Sequence, residues 1–227
     1  MKSTQQGSLA VSALMKFLIG AAAVAALLFV PAGSFRYAGA WRLLAVLFIP
    51  MIIFGLATLI FSPDLLARRL KSKEERTTQS GVVRLSGLLF IVGFVVAGLD
   101  YRWGWSGVSQ TMTWIASGLF IVGYLLYAEV MRENVWLSRT IEVSEGQKVI
   151  DKGLYGIVRH PMYLATLLMF LAMPLVLGSW WAVVPFVGYV PVIVVRALDE
   201  EQLLTKELEG YADYCKRVRW HIVPFIW

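Results

Sequence analysis

The sequence predicts an all-α integral membrane protein of about six transmembrane helices with a cytoplasmic C-terminal region. Three observations carry that prediction. Only 16% of the 227 residues are charged, against about 25% in soluble domains. Mean hydropathy is high, at +0.67. Five runs without a single charge, residues 17–30, 43–62, 85–99, 111–128 and 161–195, divide the chain, and a spanning helix needs about 20 mostly apolar residues.

Each run becomes an element in turn. The first extends back past Lys16 towards Leu9. That is longer than the apolar core of a secretory signal, so it reads as a first span, with Lys16 reaching to the interface by its aliphatic stem. The next three reach spanning length with their flanks. The fifth covers thirty-five residues, enough for two passes. "LGSWW" (177–181) is its natural turn, with tryptophans at interface depth. Six spans result, with five as the alternative. Basic residues concentrate in "ARRLKSKEER" (67–76), in 132–159 and in 206–219. Under the positive-inside rule these are cytoplasmic and both termini lie on that side. Orientation and anionic lipid then account for the net charge of +6, and neither nucleic acid nor a protein partner is expected.

The chain divides by character. Residues 1–132 read as a four-span scaffold. Residues 133–227 hold a polar approach segment, a two-span hairpin and an amphipathic tail, and they concentrate the unusual polar groups. One cysteine, Cys215, allows no intrachain disulfide. The two histidines, His160 and His221, are far apart, so no zinc-like spacing exists and no metal is expected.

Within the second part, "TIEVSEGQKVI" (140–150) alternates apolar and polar residues in a manner that admits a short extended stretch. "GLYGIVRHPMY" (153–163) then sets an Arg-His-Pro triplet against a long apolar run. Proline is tolerated at the first helical position, so a span starting at Pro161 leaves Arg159 and His160 beside free backbone donors, a setting suited to an anion. The plain alternative is that Arg159 only obeys the positive-inside rule. At the far end of the hairpin, "VIVVRALDEEQLL" (192–204) places Arg196 and Glu200 four apart on one helical face. As a surface ion pair this is worth about 0.3–0.5 kcal/mol. Ionisable groups closing a membrane span are costly, however, unless they face water or a ligand. The hairpin returns them to the side of His160, where the two ends can border one cavity. In the tail, Tyr211 and Tyr214 share a face, and Pro224 with the aromatic ending suggests a segment anchored at the interface.

"GLYGIVRHPMY", the 196–201 cluster and "GYADYCKRVRWHIVPFIW" (210–227) together resemble the isoprenylcysteine carboxyl methyltransferase family of integral membrane enzymes, over about the last ninety residues. The resemblance implies S-adenosylmethionine as methyl donor and a lipophilic small-molecule or lipid-modified acceptor drawn from the membrane. It implies cofactor contacts from the strand-like piece Gln147, Lys148, Val149 and Ile150, from Tyr155, from the turn His160, Pro161, Met162 and Tyr163, and from the acid Glu200. It implies that Arg196 handles the carboxylate of the acceptor. Glu201 or His160 becomes a candidate base if the acceptor is an amine or phenol. Three alternatives accompany this reading: an NADPH-dependent membrane reductase of the sterol type, whose members carry a similar Arg-His-Pro turn, a phospholipid N-methyltransferase, and a non-enzymatic scaffold or binding protein that shares the fold.

Overall fold

The computed structural model describes residues 2–70, 77–138 and 143–227, with side chains from residue 7 onward and, after the first gap, from residue 79. The basic residues 71–76 and the start of the approach segment, 139–142, lie outside the described residues. Nine α-helices follow in chain order among the described residues: α1 (Lys2–Ala32), α2 (Ala38–Phe61), α3 (Pro63–Leu70), α4 (Thr77–Trp103), α5 (Gln110–Glu133), α6 (Pro161–Leu177), α7 (Val183–Val187), α8 (Tyr189–Glu207) and α9 (Tyr211–Arg217).

Helix is the answer that hydrocarbon forces, since each backbone N–H and C=O must find its partner within the segment. The segments Gly7–Ala32, Ala38–Phe61, Gln79–Trp103 and Gln110–Glu133 are long and apolar enough to cross a membrane. Large apolar side chains such as Ile53, Ile60 and Ile115 point outward, each more than half exposed, as a lipid-facing surface requires. The final hairpin, expected as two spans, is built from three helices. α6 has 17 residues, about 25 Å of helix, and α8 follows after the five-residue α7. Its turn falls where the sequence placed it: α6 ends at Leu177, and Gly178 closes it in the left-handed region (φ 84°), which glycine enters without steric cost.

The core lies among α1, α2, α4, α5, α6 and α7, around Leu28, Leu43, Phe94, Phe120, Val176 and Phe186. α5 and α6 form the most extensive helix pair. A Cβ at Gly123 would come within 2.8 Å of Met169 and 3.2 Å of the Ala165 carbonyl, so a small residue here sets how closely the two backbones approach. Among the described residues α2 and α4 share little direct packing, and the space between them becomes important below.

No strand forms among the described residues. Residues 143–150 are irregular, with a turn in which the Gln147 N–H donates to the Ser144 carbonyl (3.0 Å). The expected short extended stretch forms no β-ladder over its described part, and residues 140–142 of it lie outside the described residues. The tail also departs from expectation. Tyr211 and Tyr214 are buried and Ile222 is 1% exposed, so these side chains form core; Phe225 and Ile226 alone of the terminal run stay well exposed. The tail has packed back onto the protein because its carbonyls are needed there.

Candidate functional site

That need arises at the start of α6. Pro161 occupies the first helical position and His160 is the N-cap residue. The two residues before Pro161 have backbone donors that the helix cannot satisfy. The tail satisfies both: Arg159 N donates to the Trp220 carbonyl (2.9 Å) and His160 N to the His221 carbonyl (2.8 Å). Val158 and Trp220 form an isolated parallel bridge beside them.

The Arg159 side chain repeats the pattern. Its Nε donates to the Val218 carbonyl (2.7 Å), its Nη2 to the Cys215 carbonyl (2.8 Å) and its Nη1 to Glu201 Oε2 (3.1 Å). Glu201 also meets His160 Nε2 through Oε1 (3.0 Å) and lies 3.4 Å from His221 Nε2. His221 stacks on Trp227, with centroids 4.5 Å apart and planes 4° off parallel. Burial pushes the Glu201 carboxyl up, but the His160 hydrogen bond and the charges around it outweigh that and hold it below the usual carboxylate range. Burial drives the His221 imidazole down, with Arg159 and His160 adding and Glu201 opposing. His221 is thus shifted towards its neutral form, while the ionised form of Glu201 is favoured first by His160 and then by His221 and Arg159. The lone pair on His221 Nε2 can accept from Arg159 Nη1, 3.3 Å away.

In front of this frame lies a cavity of about 850 Å³, towards the upper end of the roughly 300–1,000 Å³ of small-molecule sites. Gln147, Lys148, Val149, Ile150, Tyr155, His160, Met162, Tyr163, Arg196 and Glu200 all line it. Two expected residues do not. Pro161 is buried in the helix start, and Glu201 is turned into the Arg159–His160–His221 frame and is 13% exposed at its side chain. Glu201 was expected as a candidate base; its oxygens are instead engaged by Arg159 and His160, which themselves line the cavity.

Glu200 faces the cavity. It accepts from the Tyr163 hydroxyl, and His160 Nδ1 lies 3.8 Å from its Oε2. The His160 ring is therefore set between two consecutive carboxylates, one in the wall and one behind it. Arg196 Nη1 donates to Gln79 Oε1 (3.1 Å), and Gln79 Nε2 donates to Asp199. Gln79 is 0% exposed and comes from α4, in the half read as scaffold. The Tyr155 hydroxyl accepts from Asn134 Nδ2 (2.9 Å), and its carbonyl accepts from the Tyr214 hydroxyl (2.8 Å); burial holds its pKa above the ordinary phenol value. The three-residue step before it needs Gly153 (φ 59°), because the Glu133 carboxylate, which accepts from Leu154 N, occupies the space a Cβ would fill.

Sequence reasoning missed the other end of the cavity. Leu47 and Phe54 of α2, Phe90 of α4, and Phe120 and Tyr124 of α5 form an apolar wall, made possible because α2 and α4 stand apart. Gln79, His221 and Arg69 were missed as well. His221 lies in the 210–227 motif and Arg69 in the basic stretch 67–76, but neither was assigned to the site, and Gln79 belongs to no motif.

Two comparisons bear on this arrangement. Residues 111–209, from α5 into the end of α8, match the phospholipid methyltransferase family. A 91-residue stretch, 39% of the chain, is 37% identical to Delta(14)-sterol reductase TM7SF2 of Mus musculus. That stretch spans 22% of the reductase's own length.

Proposed function

We propose that the protein is a membrane-embedded, S-adenosylmethionine-dependent methyltransferase acting on a lipophilic acceptor that carries an anionic group, in the manner of isoprenylcysteine carboxyl methyltransferases. The observation that carries this reading is the two-character cavity. One end presents the Glu200 carboxylate with Tyr163 and His160, and the other is apolar and reaches between membrane-length helices. A cationic sulfonium suits a carboxylate and aromatic faces, and a lipid tail suits the apolar wall. The match to phospholipid methyltransferases supports a lipid acceptor.

The reaction itself is an in-line displacement. The nucleophilic oxygen of an acceptor carboxylate attacks the methyl carbon, the carbon–sulfur bond breaks, and its electron pair stays on sulfur, leaving neutral S-adenosylhomocysteine. The protein contributes position rather than covalent chemistry. Glu200 holds the donor. Arg196, steadied by Gln79, orients the anionic acceptor through its planar fork. Glu201 acts at one remove by fixing His160 and Arg159. A carboxylate acceptor loses no proton, so the absence of Glu201 from the cavity wall is no obstacle. An amine acceptor would need Glu200 or His160 as the proton acceptor.

Calorimetry with S-adenosylhomocysteine tests the reading. Glu200→Ala should weaken binding about 30-fold or more, corresponding to about 2 kcal/mol for a charged contact; unchanged affinity removes Glu200 from the cofactor site. Arg196→Ala should retain affinity and lose turnover, and parallel loss of both would move Arg196 to the cofactor. The sterol reductase relative supports a second reading, hydride transfer from NADPH. Saturable binding of NADPH in an absorbance titration, without binding of S-adenosylhomocysteine, would make the second reading the better one.

A further inference from the structure

Arg69, on the last turn of the short helix α3, lines the same cavity from a wall that contributes nothing to the roles assigned above. Its Nη1 donates to the Ser138 carbonyl (3.0 Å), its Nη2 donates to the Tyr127 hydroxyl, and its guanidinium carbon lies 5.3 Å from the centre of the Tyr127 ring. These contacts fix the plane of the fork and use two of its five N–H groups. No carboxylate pairs with it among the described residues. The neighbouring Arg68 is likewise turned to an aromatic face, that of Trp136 at 5.6 Å, rather than to an acid. A half-buried guanidinium held by neutral groups retains its charge and its desolvation cost. Such a group is completed by an anion arriving from outside the chain, and the fork geometry suits a planar carboxylate or a phosphate.

We propose that Arg69 is the anchor of an oxyanion-binding site in the cavity, separate from Arg196. The carboxylate or phosphate it takes is either the amino-acid carboxylate of the methyl donor or the anionic headgroup of the acceptor lipid. The first source rests on the methyltransferase reading; the second does not. Tyr127 and the Ser138 carbonyl position the fork, and Asn134 and Tyr155 continue the polar wall beside it.

The test uses the full chain in detergent and two pairs of probes, each an anion-bearing molecule and a counterpart without that group. S-adenosylhomocysteine is paired with 5′-methylthioadenosine, which lacks the amino-acid group, by calorimetry. Oleyl phosphate is paired with oleyl alcohol by native mass spectrometry. Arg69→Gln is expected to weaken one charged probe at least tenfold and its neutral counterpart less than twofold. Loss confined to S-adenosylhomocysteine identifies the cofactor as the source, and loss confined to oleyl phosphate identifies the lipid headgroup. Unchanged binding of both charged probes overturns the site, as does equal loss across a charged and neutral pair, which would make Arg69 a structural residue only. If the unaltered protein binds neither nucleoside, the methyltransferase reading falls while the oleyl pair alone decides Arg69. Should Arg69→Gln fail to fold, Tyr127→Phe removes a hydroxyl that orients the fork, and it is expected to give the same pattern at about threefold; no selective loss there overturns the site equally.

Discussion

The two ends of α6 hold carboxylates in opposite circumstances. Beyond its C-terminal end, Asp100 is 1% exposed. It accepts from Ser106 N (2.7 Å), from the Ser106 hydroxyl and from the Ser179 hydroxyl. Those hydroxyls in turn accept from Trp180 N and Ala182 N. Every member is an uncharged donor, the network is closed, and it pins the α4–α5 connection to the hairpin turn. At the N-terminal end, Glu200 and Glu201 are also held, but Glu200 stands in a cavity wall with Arg196, Arg69 and Lys148 sharing that space. A buried acid by itself therefore does not mark a site. A buried acid becomes functional when charge is left facing an open volume.

The largest expected effect tests the closed end. Asp100→Ala should cost about 2–4 kcal/mol of stability, because it strands two hydroxyls and a backbone donor in the interior. Methyl transfer per folded molecule should be unchanged. Thermal unfolding and turnover measured on the same preparation separate the two quantities, and a specific loss of turnover would erase the contrast between the two ends. Next in size is Gln79→Leu, which removes the acceptor beside Arg196 and the donor to Asp199. Turnover should fall about tenfold, equivalent to about 1.4 kcal/mol, with S-adenosylhomocysteine affinity within about twofold. If affinity falls in step, Gln79 supports the cofactor wall rather than the acceptor's arginine.

The smallest effect is a pH dependence confined to the open end. His221 has a depressed folded-state pKa, so the unfolded chain binds its proton first as pH falls below the ordinary histidine value near 6.5, and stability declines. Glu201 is also depressed. Its contribution is complete above the ordinary carboxylate value near 4.5 and is lost as pH falls through the lower folded value. Melting temperature should be level above pH 7 and fall in two stages on acidification, each on the order of a few degrees. His221→Gln should abolish the upper stage only; persistence of that stage would assign it to another group.

Much of the polar end was legible because motif and geometry coincide there. Pro161 starts its helix, His160 caps it, and Glu200 and Arg196 sit where a helical repeat sets them, so local rules place these side chains before any tertiary contact forms. The turn at 177–181 was legible for a similar reason, since glycine and tryptophans mark a helix end at an interface. Glu201 was not, because consecutive residues on a helix point about 100° apart, and only the packing decides which of two adjacent acids meets the cavity. At the last hairpin the uncharged run of thirty-five residues is taken up by α6, α7 and the first part of α8, and the break between them was set by packing rather than by composition.

By itself the sequence determined the helical class, the four membrane-length helices and the polar ends of the final hairpin, since hydrocarbon imposes backbone pairing and apolar length residue by residue. Only the tertiary structure decided that His221 meets His160 across sixty residues of chain, that α2 and α4 part to admit an apolar wall, and that Gln79 and Arg69 from the first half reach the site. Those outcomes depend on which surfaces fill space together, and spacing along a chain carries no record of that.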